Sequence, residues 1–91
     1  MSVVVAKFGG TSVANPERIR SVAQRIVSRK RAGDSVVAVV SAMGKTTDDL
    51  VALASSISES PDPREMDTLL STGEMVSMSL LAMAVAELGE E

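Results

Sequence analysis

The 91-residue sequence contains no cysteine, histidine, tryptophan or tyrosine, and its one aromatic side chain is Phe8. Without cysteine there are no disulfides, thiolate metal ligands or cysteine nucleophiles, and without histidine there are no imidazole ligands, Ser-His pairs or histidine general bases. Any chemistry must run on Lys, Asp, Glu, Ser, Thr and backbone amides. Nucleic acid is a poor partner on two counts: nine Lys+Arg against twelve Asp+Glu leave a formal charge of -3, and a single ring offers no stacking platform. Long hydrophobic runs are also missing. The longest low-charge run, Met75 to Ala86, falls short of the ~20 residues a bilayer crossing needs, and Lys7 interrupts the apolar N-terminus. No signal peptide or membrane span is expected, and a cytoplasmic location is compatible with the lack of thiols.

What is present is core-forming material, 45% hydrophobic residues, in a chain sized for one small domain or a piece of a larger one. Residues 2–8, SVVVAKF, are too uniformly apolar for a half-exposed strand and read as a strand buried on both faces, ended by Gly9 and Gly10. Asn15-Pro16 is an N-cap followed by proline in the first turn, and Ile19, Val22, Ala23, Ile26 and Val27 then recur at helical spacing. Cations gather at Arg29, Lys30 and Arg31 and Gly33 stops the pattern, which predicts a helix over 16–32. A second valine run, Ser35 to Val40, completes a strand-helix-strand unit with parallel strands, so the fold class is α/β. Beyond it, Thr47 or Asp48 is expected to cap a helix whose apolar face is Leu50, Leu53, Ala54 and Ile57. Ser58 to Pro61 breaks that helix, and Asp62-Pro63-Arg64-Glu65 opens a long one. Its stripe reads Met66, Leu69, Leu70, Gly73, Val76, Ser77, Leu80 and Ala84, and from Met75 onward it is apolar nearly all round, so cover on more than one side is expected. Two strands make a poor sheet, which usually has ~5 to 6, and the pattern reads as the opening of a larger α/β domain.

Three segments fall where an open parallel sheet binds its ligand, outside the carboxyl ends of the strands. In Lys7-Phe8-Gly9-Gly10-Thr11-Ser12 the glycines let backbone amides approach a phosphate, Thr11 and Ser12 add hydroxyls, and Lys7 can reach a terminal phosphoryl oxygen. Gly-Gly after a strand is also an ordinary turn, but a charge in a valine strand is costly unless a partner waits at its end. Ser41-Ala42-Met43-Gly44-Lys45-Thr46-Thr47-Asp48 reads either as an anion-binding helix start or as plain capping. In Ser71-Thr72-Gly73-Glu74, a mid-helix glycine implies close approach of a backbone or a ligand. Glu74 beside it is either a receptor for an ammonium group or a solvated carboxylate.

KFGGTSVA at 7–14, VSAMGKTTDDL at 40–50 and REMDTLLSTGEMVSMSLLAMA at 64–84 together resemble the N-terminal part of aspartokinases, in the amino-acid kinase family. The resemblance spans nearly the whole chain. It implies that residues 1–91 are the N-terminal portion of an amino-acid kinase domain with the carbamate-kinase-like three-layer αβα fold, lacking the rest of that domain and the regulatory ACT domains. The activity it implies is transfer of the ATP γ-phosphoryl group, with Mg2+, to the β-carboxylate of L-aspartate, the first step toward lysine, threonine and methionine. By the same resemblance Lys7 neutralises charge on the transferring phosphoryl group, Gly9, Gly10, Thr11 and Ser12 hold the phosphates, Ser41 and Thr47 contact aspartate and the phosphoryl group, and Glu74 meets the α-ammonium. No residue is assigned to a metal, the fragment alone is expected to be inactive, and self-association or a homo-oligomer is expected. The competing expectation is a non-catalytic assembly or nucleotide-binding module that pairs through the long helix. A dinucleotide-binding enzyme is disfavoured, because no GxGxxG is present.

Overall fold

Valine's branched Cβ suits a pleated surface, and in the computed structural model, which describes residues 2–89, both valine runs are strands. In chain order the elements are β1 (Val3–Phe8), α1 (Pro16–Arg31), β2 (Ser35–Val40), α2 (Thr46–Ile57) and α3 (Pro63–Glu87). β1 and β2 pair in parallel, with Val3 opposite Ser35 and Phe8 opposite Val40, and α1 is the crossover between them. The α/β expectation therefore holds.

Local chemistry sets most of the boundaries. Asn15 Oδ1 accepts from the Arg18 N–H at 2.9 Å and Pro16 follows it, which starts α1. The other end closes in a Schellman turn: Gly33, at φ +104°, donates to the Lys30 carbonyl, and the Asp34 N–H reaches the Arg29 carbonyl. Asp62 Oδ2 accepts from the Glu65 N–H at 3.1 Å and starts α3. At α2 the expected cap is absent. The helix begins at Thr46, one residue before Thr47, because the Thr46 N–H already bonds the Met43 carbonyl at 2.8 Å in a turn with Gly44 at φ +43°. Lys45 occupies the cap position with no side-chain bond, and Thr47 and Asp48 lie inside the first turn.

The core comprises Phe8, Val13, Ile19, Val22, Ala23, Val40 and Leu81, joining one sheet face to α1 and α3. The sheet's other face departs from expectation. Strand alternation turns Val4, Ala6 and Phe8 inward but leaves Val3 and Val5 72% and 68% exposed, with Val37 and Val39 about half exposed, since no described element packs there. The seam of α3 matches the predicted stripe at Gly73 and Ser77 and departs from it elsewhere. Gly73, Ser77 and Leu81 are buried at i, i+4 and i+8, while Val76 and Leu80 lie outside the seam and Met75, Met78 and Met83 are exposed rather than covered. Small side chains at 73 and 77 let α3 come close to its neighbours, which rotates the bulkier 76 and 80 away. Leu50 and Ala54 of α2 are half-buried, whereas Leu53 and Ile57 are exposed.

With Glu74 the only charge between Asp67 and Glu87, α3 is long and apolar enough by composition to cross a membrane, at a mean hydropathy of 1.5 over its best window. Of that window 17% is buried in this fold, where α3 is held by Leu81 in the core and by the Leu88 carbonyl, which accepts from Arg31 Nη2 at 2.8 Å.

Candidate active site

At the carboxyl ends of the strands the chain makes two turns that are bonded to each other. Beyond the last strand pair the Ser41 N–H donates to the Phe8 carbonyl at 3.1 Å, and the Gly44 N–H donates to the Gly10 carbonyl at 3.1 Å. The first turn is closed by the Ser12 N–H on the Gly9 carbonyl at 3.0 Å and anchored by Val13, which is wholly buried. Gly9 has open space where a Cβ would stand. Gly10 does not: a Cβ there would lie 3.1 Å from the Ala42 carbonyl oxygen, so the second glycine admits the neighbouring turn.

The third segment reaches the same place from α3. A Cβ on Gly73 would stand 3.0 Å from Ala42 Cβ and 3.1 Å from Thr46 Cγ2. The choice between a ligand and another chain segment beside this glycine is thus settled by the β2–α2 turn. Gly9–Ser12, Ser41–Thr47 and Gly73–Glu74 converge through contacts on Ala42 and Gly44, with Ala42 only 5% exposed. Ala42 and Thr46 had no distinguishing signal in the sequence as the hub of this junction. Nor did Arg18 and Arg25, which line a polar hollow of about 130 Å³ with Ser12, Ser21 and Val22.

Lys7 occupies the penultimate position of β1 opposite Val39, on the uncovered face, and its side chain is exposed. No carboxylate among the described residues pairs with it. The strand-end ammonium is available to an incoming anion. So are the nearby hydroxyls. Along α3, Thr68, Ser71, Thr72 and Ser77 donate back to carbonyls of their own helix, whereas Thr11, Ser12, Ser41 and Thr47 make no side-chain bond among the described residues. Thr11 and Thr47 are exposed, and Ser12 and Ser41 are half-buried. Glu74 is exposed on α3, one residue beyond the Gly73 contact.

The arrangement combines an unpaired cation, open backbone at Gly9, free hydroxyls and an α2 N-terminus without a side-chain cap, a donor-rich edge suited to a phosphorylated ligand. The sequence profile of the amino acid kinase family matches residues 2–90. The chain belongs to the amino acid kinase family. Within that family it is similar to the aspartokinase of Mycolicibacterium smegmatis, 59% identical over 91 residues, and to that of Bacillus sp. (strain MGA3), 60% identical over 91 residues. Each alignment takes in 100% of this chain and 22% of the relative, so the chain spans about a fifth of those proteins' length. A crystal structure of aspartate kinase from Synechocystis superposes with a TM-score of 0.93 at 59% identity, covering 94% of this chain and 15% of that one. The β1-α1-β2 unit with α2 and α3 is accordingly an amino acid kinase architecture.

Proposed function

We propose that this chain supplies the phosphate loop and part of the acceptor wall of an aspartokinase. The observation that carries the reading is the meeting of Gly9–Ser12, Ser41–Thr47 and Gly73–Glu74 around Ala42 in a chain similar to proteins named aspartokinase. Gly9, Gly10, Thr11 and Ser12 would cradle the ATP phosphates, and the Lys7 ammonium would offset charge on the γ-phosphoryl oxygens. Ser41 and Thr47 would face the acceptor and the group in transfer, and Glu74 would pair with the acceptor's α-ammonium.

In the reaction, a β-carboxylate oxygen of aspartate forms a bond to the γ-phosphorus as the bond to the β,γ-bridging oxygen breaks, giving β-aspartyl phosphate and ADP. No protein nucleophile is required, so a site built from cation, amides and hydroxyls is chemically sufficient for its share of the work. The described residues hold no cluster of three acids able to seat a metal by themselves. Mg2+ would arrive bound to nucleotide phosphates, as is usual for that ion. A cytoplasmic, homo-oligomeric enzyme of the aspartate-derived amino-acid pathway fits this reading.

The test is a chimera in which these 91 residues replace the matching segment of the M. smegmatis aspartokinase. Aspartate-dependent ADP release is expected from the chimera and none from the 91-residue chain alone. A folded chimera that releases no ADP, or releases it at a rate indifferent to aspartate, would contradict the proposal. Exposure of Met75, Val76, Met78 and Met83 on α3 favours a second reading, an assembly module. That reading requires the chain to associate through this face while showing no affinity for ATP, which sedimentation with and without nucleotide resolves.

A further inference from the structure

Glycine inside a helix is ordinarily improved by alanine, and the backbone at Gly73 does not require glycine, since its φ is not positive. The requirement lies across the interface, where Ala42 Cβ and Thr46 Cγ2 occupy the space a methyl group would need, at 3.0 and 3.1 Å. On the helix side, Ser77 is wholly buried one turn further on, its hydroxyl directed to the Gly73 carbonyl at 3.4 Å. On the loop side, Ala42 has little room to retreat. Its turn is bonded on both flanks, through Ser41 to Phe8 at the end of β1 and through Gly44 to Gly10 in the first turn, and its carbonyl oxygen lies 3.1 Å from where a Cβ on Gly10 would stand.

Taking the aspartokinase reading as its basis, we propose that Gly73 and Ala42 are positioning residues that set the separation between the acceptor-facing groups of α3 and the phosphate loop. Neither touches substrate. Their contact fixes how closely α3, which carries Glu74, approaches the turn that carries Ser41. A methyl on residue 73 lifts α3 with Glu74 or drives the Ala42 turn, with Ser41, against Gly10. The Gly9–Ser12 turn keeps its own closing bond and its Val13 anchor, so the acceptor side moves first.

The experiment is a cycle in the M. smegmatis chimera. Gly73→Ala is expected to raise the KM for aspartate about tenfold, because it displaces Glu74, the partner proposed for the acceptor's ammonium, and a misplacement of about 1 Å can cost up to ~10²-fold at such a site, while the KM for ATP changes less than about twofold. Ala42→Gly with Thr46→Ser removes both obstructing carbons. In that background, adding Gly73→Ala is expected to change the aspartate KM less than about twofold. A merely destabilising substitution would lower the active fraction, and so kcat, in the native background while leaving the aspartate KM unchanged. Melting of the 91-residue chain reads the packing independently: Gly73→Ala lowers the midpoint in the native background and raises it in the relieved one. An unchanged aspartate KM, an equal change in both backgrounds, or a midpoint raised in both would overturn the proposal. A folded but inactive parental chimera would instead overturn the aspartokinase reading and the positioning role with it, leaving the melting cycle as a statement about packing.

Discussion

Lys7→Ala in the chimera lowers kcat for phosphoryl transfer by roughly 10²- to 10³-fold, the usual effect of removing one donor aimed at charge that develops in a transition state. The effect falls on kcat because the loose transition state spreads charge over the γ-phosphoryl oxygens, and a fixed ammonium meets it without reorganising. ATP affinity changes less, since the Gly9 to Ser12 amides and hydroxyls remain. Folding is untouched: Lys7 is exposed on the uncovered sheet face and has no ion-pair partner among the described residues, so its truncation leaves no buried charge behind. Lys7→Arg keeps the charge but widens the head group, and an intermediate loss is expected. A coupled ADP-release assay at saturating aspartate and ATP measures all three proteins. Equal kcat for the native chimera and Lys7→Ala would remove Lys7 from the chemistry.

Phe8→Ala has the largest expected effect on stability. Phe8 is the only aromatic residue, is 7% exposed, and packs with Val13, Ile19, Val22 and Leu81 beneath the end of β1. Removing a buried phenylalanine typically costs about 3 to 5 kcal/mol, a large share of the ~5 to 15 kcal/mol that holds a domain together. The Arg25 guanidinium carbon stands 5.8 Å from the ring centroid, a cation-π attraction that the alanine variant cannot make. Urea unfolding is expected to shift its midpoint down by roughly 2 to 3 M at an unchanged slope, taking m of about 1.5 kcal/mol/M. Val5→Ala, on the open face three residues earlier in the same strand, should stay within about 0.5 kcal/mol. Comparable losses at both positions would mean that the two faces of the sheet are equally buried.

That comparison also marks the limit of what the residues alone disclose. Ser35–Val40 was legible to the residue because a valine run stands between Asp34 and Ser41, and α3 opened where Asp62-Pro63 required. Which face of a valine strand is covered was not legible, because alternation carries no information when both sides are apolar. At α2 a backbone turn through Met43 replaced the expected side-chain cap, and no propensity distinguishes those two ways of satisfying an N–H. The order of the three site segments could be read from motifs. Their junction could not, because it depends on Ala42, a small residue in a loop whose importance comes from what Gly10 and Gly73 omit. On α3 the spacing placed Gly73 and Ser77 on the packed stripe, where less side chain means closer approach, but it also included the bulky Val76 and Leu80, which lie outside the seam, and left out Leu81, which is in it.

The most direct measurement is a crystal structure of the chimera with a non-hydrolysable ATP analogue and aspartate. Lys7 Nζ is expected about 3 Å from a γ-phosphoryl oxygen, with Glu74 paired to the aspartate ammonium on the far side of the Ala42 turn. A nucleotide whose γ-phosphoryl group lies out of reach of Lys7, or an acceptor bound away from Glu74, would contradict it.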